Sequence, residues 1–105
     1  MDQPIFKKNV LILGAGWAGK TILHEINRSR KSGLRVAGFI DDDLSKQGKD
    51  VEGVPVFGGR DTLLTAIHQN DIGLIVNAIT HEKHADLIKA LINCSWNGID
   101  IVDMP

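Results

Sequence analysis

Apolar residues in this chain come in blocks rather than singly. Short runs at 10–13, 36–40, 74–79 and 99–102 are almost wholly apolar, and between them apolar residues recur at every third or fourth position. A short unbroken apolar run is what a parallel strand buried on both faces requires, whereas three-to-four spacing gives a helix with one buried stripe. The pattern predicts strands at about 10–13, 35–40, 74–79 and 99–102. It predicts helices at about 17–30, with Ala18, Ile22, Leu23 and Ile26 inward, at 62–69, capped by Asp61 and burying Leu63, Leu64 and Ile67, and at 82–95, capped by Thr80 with Ala85, Ile88, Leu91 and Ile92 inward. Residues 1–8 read as a polar lead-in and 41–53 as a polar loop. Val54–Phe57 reads as an edge piece, since Pro55 cannot donate to a ladder, and Gly58-Gly59 as a turn. Strands alternating with helices imply an α/β fold: an open, mostly parallel sheet with helices on both faces.

The junctions carry the chemistry. The first strand runs into Gly14-Ala15-Gly16-Trp17-Ala18-Gly19, and the second stops at Asp41-Asp42-Asp43. Strand, glycine turn, helix, strand, acid is the layout of a dinucleotide-binding βαβ unit. Gly14 permits the tight turn, Gly16 lets a pyrophosphate approach the backbone, and Gly19 lets the helix pack closely on the strand. The helix N-terminus offers free N–H groups and a positive dipole end to an anion. Asp41, 22 residues past Gly19, is placed to accept from a ribose diol. The expected ligand is therefore a small-molecule nucleotide, NAD or another such as a nucleotide sugar.

The same residues satisfy G-x-x-x-x-G-K-T, the phosphate-binding P-loop, through Gly14 and Gly19-Lys20-Thr21. Three features favour the dinucleotide layout. Gly16 is needed only there, the acid after the second strand sits where a ribose would, and the strand at 74–79 lacks the acid that would hold magnesium.

With 12 basic and 13 acidic residues the net charge is −1, which predicts no attraction to nucleic acid or to an anionic membrane. The only cysteine, Cys94, cannot close an internal disulfide, which fits a cytoplasmic setting, and no apolar run approaches the roughly 20 residues of a membrane span. At 105 residues this is a single domain with no room for a second, substrate-binding one. The stop just after a strand-like run leads us to expect a piece of a longer protein.

Other candidates are weaker. Side chains alternate along extended chain, so Asp41, Asp42 and Asp43 cannot all converge on a metal. Asp41 is expected at the ribose, with Asp42 and Asp43 solvated in the loop; Asp42, next in sequence to Asp41, also joins the candidate nucleotide-binding residues. His81 and His84 share a helical face but have no third ligand nearby in sequence. Thr80 and His81 follow a buried strand at its carboxyl end, the edge where open α/β sheets bind ligands, so both join the candidate nucleotide site. His24 and His68 read as flanks of buried helix faces. Trp17 is a large apolar group inside a glycine turn, placed to stack on a ligand or to be covered by another domain or a second subunit. A homo-oligomer stays open.

The run Val10–Gly19, followed by Arg35-Val-Ala-Gly-Phe-Ile-Asp-Asp-Asp43 and Gly48-Lys-Asp-Val-Glu-Gly-Val-Pro-Val-Phe-Gly58, resembles the Rossmann-like, "CoA-binding-like" module of bacterial polysaccharide-biosynthesis proteins. That module precedes the catalytic part of two groups, the membrane-bound nucleoside-diphosphate-sugar epimerase/dehydratases and the polyprenyl-phosphate sugar-1-phosphate transferases. The stretch 91–103 is more similar to the second. The resemblance implies nucleotide binding at Gly14, Gly16, Gly19 and Asp41, and a family position at Lys20 that is often basic. It implies a non-catalytic regulatory domain on the cytoplasmic side of a membrane-bound sugar transferase, making no membrane contact itself. The alternative is the cofactor part of an NAD-dependent dehydratase or epimerase. The chain has no tyrosine, so it cannot itself supply the tyrosine acid/base of the short-chain sugar-nucleotide enzymes.

Overall fold

A computed structural model describes residues 8–29, 32–79, 89, 92 and 98–103. Its elements are β1 (Lys8–Leu13), α1 (Trp17–Arg28), β2 (Leu34–Ile40), β3 (Asp50–Val51), β4 (Val54–Gly58), a short 3₁₀ turn (Arg60–Thr62), α2 (Leu63–Gln69), β5 (Ile72–Asn77) and β6 (Asp100–Asp103). The strands form one sheet in the order β3-β4-β2-β1-β5-β6. Every pairing is parallel except the β3–β4 hairpin at one edge.

The apolar runs are buried on both faces, as their composition requires. Within β1, Val10 and Ile12 face α1 and pack with Ile22, Leu23, Phe39 and Val76, while Leu11 and Leu13 face α2 and pack with Leu63, Ala66, Ile67 and Ile75. Side chains that alternate along a strand thus build two cores, one under each helix. Gly38 in β2 makes room for a neighbour in β4: a Cβ there would overlap the Phe57 ring.

Four expectations are corrected. Leu64 is half-exposed rather than buried, because the buried stripe of α2 is Leu63, Ala66 and Ile67, at i, i+3 and i+4, and i+1 falls off that face. Asp61 does not cap α2, whose cap position is Thr62. The strand expected at 74–79 runs from Ile72 to Asn77. The region expected as loop contains β3, which pairs with the expected extended piece, β4, in a hairpin closed by Glu52 (φ 53°) and Gly53 (φ 79°). Two successive residues at positive φ are the turn whose twist matches antiparallel strands. The expected helix at 82–95, with Thr80, His81, His84 and Cys94, lies outside the described residues apart from positions 89 and 92.

Candidate functional site

The chain leaves β1 towards β2 and β4 on one side, then crosses to β5 on the other. The strand order therefore reverses between β1 and β5, and in open α/β sheets ligands bind at the carboxyl ends of the strands flanking such a reversal. Backbone hydrogen bonds lace this edge together. Gly14 N–H donates to Ile40 O (2.7 Å), Ala78 N–H to Leu13 O (2.9 Å) and Asp41 N–H to Gly58 O (2.9 Å). Leu13, Ile40, Asp42, Arg60 and Ile79 line a shallow pocket here.

The three glycines of the turn have three different reasons to be glycine. Gly14 has φ +97°, a conformation that L side chains rarely adopt. At Gly19 a Cβ would overlap the Gly14 carbonyl oxygen and stand 3.0 Å from its carbon, so only glycine lets α1 sit this close. Gly16 is different. Its backbone is extended (φ −85°, ψ −160°) and a Cβ would meet nothing within 4 Å. The fold places no demand on this position, while a pyrophosphate approaching the backbone would. Gly16 also precedes a helix with no side-chain cap and no acid in its first turn. The amides of Trp17 and Ala18 therefore begin α1 with no acidic side chain competing for them.

Asp41 closes the other side. Its Oδ2 accepts from Ala15 N–H at 2.8 Å and its Oδ1 from Asp43 N–H at 2.8 Å. The carboxylate is 17% exposed, and a carboxylate has four lone-pair sites, so two acceptor positions remain after these bonds. Asp41 is thus fixed against the glycine turn, 26 residues away in sequence. Asp43 turns away and accepts from the Ser45 hydroxyl (2.7 Å) and N–H (3.0 Å). The hydroxyl first, then the N–H, holds its carboxyl below the ordinary value.

Asp42 departs from expectation. Its carboxylate accepts from Arg60 N–H (2.8 Å), Nε (2.7 Å) and Nη2 (2.6 Å), tying the end of β2 to the turn before α2. It lines the pocket at this edge but is not simply solvated: the Arg60 guanidinium claims its Oδ2 and the Arg60 N–H its Oδ1. Arg60 carried no local signal, and neither did Asn77, the one buried polar residue among the described residues. Asn77 Nδ2 donates to Asp103 Oδ1 (2.9 Å), and its Oδ1 accepts from Ile79 N–H (3.1 Å), ending β5 and shaping the wall opposite the glycine turn. Trp17 stands at the first helical position, 81% exposed. Thr80 and His81 lie outside the described residues.

The geometry also decides the P-loop question. Helix α1 begins at Trp17, inside the stretch between Gly14 and Gly19 that a P-loop would wrap around a phosphate. The Thr21 hydroxyl donates to Trp17 O at 2.9 Å instead of turning outward to a metal. We expect no magnesium-dependent ATP hydrolysis by this chain. A steady rate that vanishes in Lys20→Ala would contradict this.

Residues 6–105 match the family described as CoA-binding domain, and the chain belongs to that family. Over its full length it is 30% identical to the probable polysaccharide biosynthesis protein EpsC of Bacillus subtilis (strain 168) and 27% identical to the capsular polysaccharide biosynthesis protein CapD of Staphylococcus aureus, and it spans 18% of the length of each. Among solved structures, the UDP-D-quinovosamine 4-dehydrogenase from Vibrio fischeri is similar at TM-score 0.77 and 22% identity, over 94% of this chain and 79% of that one. A Rex-family repressor, RSP, in complex with β-NAD+ and operator DNA, is similar at TM-score 0.72 and 21% identity, over 93% of this chain and 50% of that one. Both likenesses establish the open, mostly parallel Rossmann-like fold.

The repressor corrects one expectation. The net charge predicts no attraction to nucleic acid, yet this fold makes up part of a protein solved on operator DNA. The charge of one stretch describes that stretch alone. The similarity spans half of the repressor, so it leaves the partners of a longer protein unconstrained.

Proposed function

We propose that this chain is the nucleotide-binding domain of a larger polysaccharide-biosynthesis protein, binding an adenine dinucleotide at the glycine turn and acting as a regulatory rather than a catalytic unit. The observation that carries the reading is Gly16, open on its Cβ side and not required by the fold, beside an uncapped helix start. The pyrophosphate would lie on Gly14, Gly16 and the amides of Trp17 and Ala18, packed against Gly19. The ribose diol would lie at Asp41. Asp42 is left out of this set because Arg60 claims it.

Asp41 also sets the preferred cofactor. A carboxylate held at the ribose accepts from a free diol and repels a phosphate placed there. NAD should bind more tightly than NADP, by tenfold or more, and more tightly than coenzyme A, whose adenosine ribose also carries a phosphate. Calorimetry with the three ligands tests this, and equal affinity or a preference for either phosphorylated ribose would remove the role given to Asp41.

For the parent we favour a sugar transferase at the cytoplasmic face of the membrane, with NAD modulating its rate. Among the described residues no helix is long and apolar enough to cross a membrane, so in this reading anchoring falls to the rest of the parent. A second reading, the cofactor part of a nucleoside-diphosphate-sugar dehydratase or epimerase, is supported by the likeness to the UDP-sugar dehydrogenase, of which this chain covers 79%. Assay of the parent separates them. Sugar-phosphate transfer to a lipid phosphate, changed by NAD, supports the first; conversion of the nucleotide sugar without lipid acceptor supports the second.

A further inference from the structure

A basic group stands beside the acid of this site. Lys46 Nζ lies 3.8 Å from Asp41 Oδ2, and its side chain is only 35% exposed. The loop that carries it is tightly bonded. Lys46 N–H donates to Asp43 O (3.0 Å), Lys49 N–H to Lys46 O (3.2 Å) and Gly48 N–H to Val56 O (2.9 Å), and Gln47 Nε2 donates to Asp41 O (3.1 Å). These bonds fix the backbone that carries Lys46, and its ammonium stands 3.8 Å from the Asp41 oxygen to which a ribose hydroxyl would bond. At 3.8 Å it is beyond hydrogen-bond distance of the carboxylate, so its N–H donors are not committed to that oxygen.

We propose that Lys46 is a specificity-determining residue for the ribose of the bound nucleotide: it offsets the repulsion between Asp41 and a ribose phosphate, and so limits the discrimination that Asp41 alone would impose. The inference rests on the nucleotide-binding reading. Opposite charges a few ångströms apart at a protein surface interact appreciably even through solvent. A phosphate entering beside Asp41 meets the ammonium as well as the carboxylate. Lys46 makes no comparable difference to an unphosphorylated diol, which brings no charge. Asp41 sets the direction of the preference and Lys46 sets its size.

The experiment measures the ratio of the NADP to the NAD dissociation constant by calorimetry for the parent chain, Lys46→Ala and Lys49→Ala. Lys49 lies in the same loop and its removal changes the net charge equally. Lys46→Ala is expected to raise the ratio about tenfold, with Lys49→Ala leaving it within twofold of the parent. Asp41→Asn, with its fold checked by circular dichroism, is a second arm: with Lys46 still in place, its ratio should fall below one. An unchanged ratio in Lys46→Ala, or equal changes in both lysine variants, overturns the proposal while leaving nucleotide binding intact. Failure of the parent to bind either dinucleotide at millimolar concentration overturns the nucleotide reading and this inference with it.

Discussion

Gly16→Val is expected to fold like the parent and to lose dinucleotide binding by at least a hundredfold. The two halves of that expectation have separate causes. A Cβ at position 16 meets nothing within 4 Å and the backbone is extended, so a side chain starts into open space without backbone strain. Its folding cost is that of a poorer helix cap, about 1 kcal/mol or less. The loss of binding comes from two methyl groups standing where a pyrophosphate must approach the amides that open α1. Thermal unfolding and calorimetry on the same sample check both halves. A folded variant that still binds NAD as the parent does would mean that the ligand lies elsewhere.

Gly19→Ala, three residues away and chemically milder, should do the opposite and damage the fold itself. Its Cβ would overlap the carbonyl oxygen of Gly14 and stand 3.4 Å from the Phe39 ring. The obstructing group is backbone, held in turn by the Gly14 N–H bond to Ile40 O, so it cannot swing aside as a flexible side chain would. Relief requires lifting α1 off β1, which opens the core formed by Val10, Ile12, Leu23 and Phe39. Overpacking against rigid neighbours costs about 3 kcal/mol, a large share of the 5–15 kcal/mol typical of a whole domain. Urea denaturation should show the midpoint fall sharply or the cooperative transition disappear. A variant as stable as the parent would show that α1 does not approach the turn as closely as described.

These opposite outcomes mark what sequence could and could not reveal. The βαβ unit was legible because its constraints are local: an apolar run, a glycine turn and a helical stripe each leave a mark within a few residues. The motif already gives the three glycines separate jobs, and the coordinates add the geometry: Gly14 at positive φ, a Cβ obstructed by backbone at Gly19, and nothing to meet one at Gly16. Pairings across the sheet were illegible. Arg60 lies 18 residues from Asp42, and it is the parallel pairing of β2 with β4 that brings them together. Asp42 therefore read as part of an acidic loop when it is one arm of an ion pair. Asn77 was hidden in an apolar run, where one polar residue reads as noise until its bonds to Asp103 and Ile79 are seen. The hairpin was missed because β3 is two residues long, below the length at which alternation can register. The turn pair Glu52-Gly53 was its one available sign.

The most direct test of the central claim is titration of the ¹⁵N-labelled chain with NAD, read by the backbone amide resonances. The account predicts saturable shifts that are largest at Ala15, Gly16, Trp17 and Ala18, which form the turn and open α1, and at Asp43, whose N–H is bonded to the Asp41 carboxylate. Amides at the opposite edge of the sheet, such as Gly73, should stay in place. Absence of shifts at millimolar NAD, or saturable shifts that spare residues 14–19, would contradict it.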